Sequence, residues 1–254
     1  SGPNACILHY HENSRRLADG DLVLIDAGCE YGYHASDITR TFPAAGRFSS
    51  VQRTIYELVL QAQLAAIDAV RPGQTVEAVH DAARAVLTQG LVGLGLLPRG
   101  ATESLAMHHY REFFMHGTSH WLGMDVHDVG DYRVGGRSRR LEPGMVLTVE
   151  PGLYFDPERE SASFYLREYS EHEMWERRHR LGADAAKRLE EEERSRAEQV
   201  VHPIPRELRG IGVRIEDDVL VTPEGREVLT AGTPKTVDEI ESTWAQSPRH
   251  VKRP

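Results

Sequence analysis

The sequence predicts an α+β fold. Two stretches, 51–69 and 76–87, repeat apolar residues at helical spacing. Three apolar runs, 22–26, 146–150 and 212–221, have strand length and end at glycine- or acid-containing turns. The 254 residues suffice to bury a sizeable core.

The first strand-like run is Ala5-Cys6-Ile7-Leu8-His9-Tyr10. Leu22-Val-Leu-Ile-Asp26 suits a buried strand, Ala27-Gly28 turns the chain, and Tyr31 to Phe42 supply returning strands. Ser49 or Ser50 caps a helix to about residue 69, with Val51, Ile55, Leu58, Val59 and Ala62 on one face. Arg71-Pro72-Gly73 stops it. Thr75 caps a second helix that aligns Val76, Val79, Ala83, Val86 and Leu87. Gly90 to Gly100 reads as a glycine-rich loop, and Glu103 to Phe113 as another helix. Pro143-Gly144 turns into the strand Val146 to Glu150. Residues 212–221 alternate like a strand with a bulge, and Pro223-Glu224-Gly225 turns a hairpin into Arg226 to Leu229.

Residues 156–209 read as an insert. From Arg167 to Gln199, 18 of 33 side chains are charged. Glu173/Arg177, Glu176/Arg180, Asp184/Arg188, Glu190/Arg194 and Glu192/Arg196 place an acid four residues before a base, each pair worth ~0.2–0.5 kcal/mol to a helix. That composition suits a solvated helix between two strands; a partner-binding arm is the alternative.

Composition narrows the function. With 40% hydrophobic and 27% charged residues the chain is globular rather than disordered. No stretch approaches the ~20 apolar residues of a membrane span. A net charge of −9 disfavours nucleic acid as a partner. Two cysteines, Cys6 and Cys29, cannot make a disulfide framework, which suits a reducing compartment. The start, Ser-Gly-Pro-Asn, has neither an initiator methionine nor a signal-peptide core and reads as a fragment of something longer.

The chemistry lies in acids on strands. Asp26 ends Leu-Val-Leu-Ile, Glu150 ends Val-Leu-Thr-Val, and Glu216 follows Val213-Arg214-Ile215. A carboxylate on a buried strand is costly unless it is paired or bound to metal. Three such acids, with Asp37 in a polar run, point to a shared cation site. His116, His120 and His127 lie within twelve residues. In an extended segment, period two sends His127 to the face opposite His120 unless Gly123 allows a bulge. Spacing alone therefore does not make both ligands. His9 is a weaker candidate. His11, His34, His80, His108, His109, His172, His179, His202 and His250 read as surface or helix histidines. Gly117 stands where the helical zinc-protease motif needs Glu, no Gly-x-Ser-x-Gly elbow occurs, Gly135-Gly136 lacks the Lys-Ser/Thr of a phosphate loop, and the cysteines lack knuckle spacing.

The order Asp26, Asp37, His120, Glu150, Glu216 resembles the pita-bread metallopeptidases, and within them the proline-specific aminopeptidases. The resemblance is carried by Leu24-Ile-Asp-Ala-Gly28, Ser36-Asp-Ile-Thr-Arg-Thr-Phe-Pro43, His116-Gly-Thr-Ser-His-Trp-Leu-Gly-Met-Asp-Val-His-Asp-Val-Gly130, Leu141-Glu-Pro-Gly-Met-Val-Leu-Thr-Val-Glu-Pro-Gly-Leu-Tyr154 and Gly212-Val-Arg-Ile-Glu-Asp-Asp218, with Cys6-Ile-Leu-His-Tyr10. It implies a pita-bread domain over 1–254 with its first half incomplete, the amino-terminal helices lying outside this sequence. It implies two divalent ions: Asp26 on one, Asp37 and Glu216 bridging, His120 and Glu150 completing the second. Four carboxylates balance two divalent charges, and an oxygen-rich set with one imidazole suits manganese. The implied reaction is attack by a hydroxide bridging two ions on a peptide with proline at its second position. By the same resemblance Glu150 shuttles a proton to the leaving nitrogen, His127 stabilises the oxyanion, His116 contacts the substrate around the proline, His9 completes the pocket and Arg214 orients a ligand; Tyr154 or Trp121 could wall the proline. The implied setting is a cytoplasmic enzyme, homo-oligomeric at full length. A Xaa-Pro dipeptidase and a non-catalytic peptide-binding module on the same fold are the alternatives.

Overall fold

A computed structural model describes residues 1–165, 177, 180–196 and 199–246. Thirteen strands, β1 to β13, and five α-helices, α1 to α5, are assigned among them. Strands β1 (Leu22–Ala27) and β4 (Ile38–Pro43) pair antiparallel, with Asp26 opposite Thr39, and the hairpin of β2 (Glu30–Tyr31) and β3 (His34–Ala35) lies between them in sequence. Helix α1 (Ser50–Ala69) begins at a full capping box: the Gln52 N–H donates to Ser49 Oγ and the Ser49 N–H to Gln52 Oε1. Helix α2 (Val76–Gly93) is capped by Thr75. Their apolar faces meet through Ile55, Leu58, Val59, Ala62, Val79, Ala83 and Leu87, all buried. Burying each large aliphatic side chain stabilises the fold by ~1.5–3 kcal/mol. Gly90 is needed there, since a Cβ would come within 2.3 Å of Leu58.

Beyond α2 the chain departs from expectation. The loop begins only after Gly93, and the helix expected over 103–113 breaks in two, α3 (Ala101–Ala106) and a 3-10 turn at His109–Glu112. The break is at His108, which adopts a left-handed conformation with φ 52° that an α-helix cannot contain. The strand expected at 5–10 is also absent: Gly2–Cys6 form a 3-10 turn with proline in its first turn, and Ile7 is exposed.

After the short hairpin of β5 (Arg133–Val134) and β6 (Arg137–Ser138), β7 (Val146–Val149) joins β12 (Asp217–Thr222), which also pairs with β13 (Gly225–Val228). Strand β8 (Gly152–Tyr154) pairs with β11 (Gly212–Arg214). Between β11 and β12 the chain bends at Ile215-Glu216, whose amides turn to the Pro151 and Thr39 carbonyls. That bend is the expected bulge, and it connects β12 to β4.

The stretch 156–209 is not only helical. Strands β9 (Ser161–Tyr165) and β10 (Gln199–Pro203) form an antiparallel hairpin, and the charged α4 (Ala183–Arg196) lies between them in sequence. Phe164 and Ala162 anchor the hairpin in the core, Phe164 packing on His109 and His202. His109 is thus a core histidine; its Nε2 bonds the Tyr165 carbonyl. Arg188 Nε meets the Asp184 carbonyl rather than its carboxylate. The pairs Glu173/Arg177 and Glu176/Arg180, and His172, His179 and His250, fall wholly or partly outside the described residues, as do the side chains of Glu190, Arg194 and Arg196. Helix α5 (Val237–Gln246) is the last described element. No described helix is long and apolar enough to cross a membrane.

Candidate metal centre

Strand ends converge on one point. Asp37 precedes β4, Glu216 sits at the β11–β12 bend, and His120 runs beside β7, where the Thr148 N–H donates to its carbonyl. One ligand atom from each of Asp37, His120 and Glu216 lies within 4.8 Å of the others. His120 Nε2 is 3.4 Å from Asp37 Oδ2 and 3.5 Å from Glu150 Oε1. His120 Nδ1 meets the Trp121 carbonyl at 3.1 Å. A carbonyl only accepts, so Nδ1 carries one hydrogen; Nε2 donates to Asp37 when the ring is protonated and is the nitrogen left to meet a metal ion when it is neutral.

Glu216 is almost fully buried. Thr39 donates its hydroxyl to Glu216 Oε2 at 2.7 Å, while Oε1 has no partner. An orphaned buried carboxylate oxygen is expensive unless a cation meets it. Burial, then the charges of Glu150 and Asp37, hold the Glu216 carboxyl well above the usual range. Burial likewise raises Glu150 to about 7, with His120 and Arg214 opposing. Asp26 is raised by burial against the pull of Arg214. Burial pushes Asp37 up too, but hydrogen bonds from His120 and Asp26 outweigh it and bring it below the ordinary value. Burial lowers His120, yet Asp37, the Trp121 carbonyl and Glu150 reverse the sign and raise it. Four crowded acids, three of them with raised pKa values, and a free oxygen are a donor set that fits hard or borderline divalent cations.

Arg214 ties the remaining expected residues to this centre. It is buried, and its guanidinium donates to Asp26 Oδ2 (2.6 Å), Thr39 Oγ1 (3.1 Å) and the Tyr154 hydroxyl (3.1 Å). Tyr154, accepting from Arg214, donates onward to His116 Nε2 at 2.9 Å. His116 Nδ1 then carries the hydrogen bonded to the Gly117 carbonyl (2.7 Å), and burial keeps the ring neutral by lowering its pKa to about 4.

His127 resolves the period-two ambiguity. Past Trp121 the chain bends through 123–127, with the Gly123 N–H donating to the Asp125 carbonyl and the Asp128 N–H to the Trp121 carbonyl. The fold-back sets the exposed His127 ring 4.2 Å from that of His120. Gly123 permits it, because a Cβ there would sit 2.0 Å from Asp128 Oδ2. His9 is exposed and makes no contact with the acids; it is near enough to His116 for its charge to lower that ring's pKa.

Three contributors escaped the sequence reading. Thr39 bonds both Glu216 and Arg214, Asp218 Oδ2 accepts the Asp37 N–H at 3.1 Å, and His80 bonds Thr118. For Thr39 a signal existed: at period two from Asp37, an extended chain puts Thr39 and Thr41 on the same face as that acid.

Comparison with known proteins bears on this geometry. Residues 1–223 match the family model described as metallopeptidase family M24. The chain belongs to this family. A Haemophilus influenzae relative named Xaa-Pro aminopeptidase is 44% identical over 95% of this chain and 46% of its own length. A human relative named Xaa-Pro dipeptidase is 38% identical over 96% of this chain and 48% of its own. The solved aminopeptidase of Pseudomonas aeruginosa is 50% identical and superposes with a TM-score of 0.78 over 96% of this chain and 46% of that one. The M24 chain therefore has the pita-bread fold of aminopeptidase P, and it spans about half the length of the curated relatives it matches.

Proposed function

We propose that the protein is a metal-dependent aminopeptidase that releases the residue preceding a proline at the second position. One observation carries the reading: ligand atoms of Asp37, His120 and Glu216, from distant stretches, converge within 4.8 Å, with Glu150 against His120. In this reading two divalent ions, manganese by donor chemistry, would be held by Asp26, Asp37, His120, Glu150 and Glu216. When bound, such an ion pair lowers the pKa of a shared water and supplies hydroxide to a peptide carbonyl. The remaining work falls to the chain. Glu150, whose Oε1 lies 3.5 Å from His120 Nε2, accepts a proton and returns it to the leaving nitrogen. A proline nitrogen has no N–H in the peptide and must gain a proton as the bond breaks. His127, exposed beside His120, donates to the developing oxyanion. Arg214 fixes Asp26 and, through Tyr154, the ring of His116 that meets the substrate around the proline, and His9 would complete the pocket.

In the same reading residues 1–254 belong to one catalytic domain interrupted by the 156–209 insert, within a homo-oligomeric cytoplasmic protein. The human dipeptidase relative gives the alternative its weight. Turnover of a Xaa-Pro dipeptide against a Xaa-Pro-Xaa tripeptide by the manganese-loaded complete protein separates them. Preference for the tripeptide is expected; strong preference for the dipeptide makes the protein a prolidase. A protein that retains no divalent ion and gains no peptidase activity with manganese is instead a binding module.

A further inference from the structure

We propose that His80, on the helical layer behind the strands, is a positioning residue of the metal centre. It acts through Thr118, and the inference rests on the peptidase reading above. His80 Nδ1 and Thr118 Oγ1 are hydrogen-bonded at 2.8 Å. Thr118 is buried, and it is where the metal-bearing segment is tied to its neighbours. Its carbonyl accepts the Glu150 N–H at 2.8 Å, and two residues on, the His120 N–H and carbonyl both bond Thr148, at 3.2 and 3.0 Å. Pinning the Thr118 side chain from α2 therefore fixes the strip that carries His116 and His120 and the backbone of Glu150.

A second route runs through rings. His80 packs on Phe114 with centroids 5.6 Å apart, and Phe114 meets His116 edge-on at 4.9 Å. The His80 ring is held neutral by burial, with its pKa lowered to about 4. It thus keeps one hydrogen-bonding state over the working range of a neutral-pH enzyme. Groups that bond the supports of metal ligands typically change affinity or rate about 10–100-fold when removed.

The test uses the complete manganese-loaded protein with Thr118→Val, which keeps the side-chain shape and deletes the hydroxyl, His80→Leu, His80→Asn and the double variant Thr118→Val/His80→Leu. Asn can place an amide nitrogen near the position of His Nδ1. Three readouts are taken: kcat and KM on a Xaa-Pro-Xaa tripeptide, and affinity for manganese alone by calorimetry. Thr118→Val and His80→Leu are each expected to lower kcat or manganese affinity about 10-fold or more, with KM within about 2-fold. His80→Asn should recover most of the loss, and the double variant should be no worse than the poorer single variant. Folded single variants within 2-fold of wild type on all readouts, or fully additive losses, overturn the assignment. Should His80→Leu fail to fold, Thr118→Val and His80→Asn decide alone. A wild-type protein that binds manganese without cleaving Xaa-Pro bonds defeats the peptidase reading instead, and the manganese affinities still decide the role of His80.

Discussion

Glu216→Gln should raise the stability of the metal-free protein while abolishing its response to metal. The side chain is buried, with one oxygen satisfied by Thr39 and the other orphaned among Asp26, Asp37 and Glu150. Its carboxyl lies well above its ordinary value of 4.5, for reasons of burial first and neighbouring acids second. Between 4.5 and that raised value the folded protein holds a proton the unfolded chain has lost. Metal-free stability therefore falls as pH rises through this window. Glutamine is the same size and uncharged. Its oxygen can accept from Thr39 and its amide can donate to the facing acids, turning repulsion into hydrogen bonds. Relieving an unsatisfied buried group is worth ~1–3 kcal/mol. For a chain of this size that is a rise in melting temperature of about 2–12 °C at pH 8. Manganese at 100-fold its dissociation constant should stabilise wild type by ~2.7 kcal/mol and Glu216→Gln by almost nothing. Thermal unfolding of both proteins, with EDTA and with manganese, measures all four values. A metal-free variant less stable than wild type, or one that still gains from manganese, refutes the reasoning.

Three further outcomes follow from the same geometry. Manganese binding at pH 6.5 should release protons, because burial pushes Glu150 up to about 7 and holds Glu216 well above its ordinary value, and the release should shrink by pH 9; calorimetry in buffers of different ionisation heat reads this, and pH-independent release contradicts it. Gly123→Val forces its Cβ toward Asp128 and should displace His127, lowering kcat about 100-fold with manganese stoichiometry intact; unchanged kcat removes His127 from the reaction. Asp37→Ala should lose both activity and manganese, since it removes one of the three side chains whose ligand atoms converge within 4.8 Å, and wild-type turnover in that variant would break the proposed site assignment.

Asp26, Glu150 and Glu216 were legible because each closes an apolar strand run where a charge is out of place, and Asp37, in a polar run, joined them as a fourth acid; the burial expected of the first run holds only at its start, since Ile25 and Asp26 are exposed. Helices α1 and α2 were legible because cap, face and stop agree along one stretch of chain. His127 was not, because strict alternation points it away from His120; only the 123–127 fold-back, permitted by Gly123, reverses that. His80 read as a helix histidine because its partner, Thr118, lies 38 residues away on another layer. The hairpin β9–β10 was hidden by the charge-rich stretch it brackets, whose composition speaks for a helix while Phe164 and Ala162 dock the ends in the core. At Cys6 an apolar run resembled a strand, but the preceding Gly-Pro-Asn sets a 3-10 turn.

The most direct measurement is a crystal structure of the complete protein grown with manganese, with the ions located by anomalous scattering. The account predicts two manganese ions contacting Asp26, Asp37, His120, Glu150 and Glu216, with Asp37 and Glu216 touching both. Manganese bound elsewhere, or held without Glu216, contradicts it.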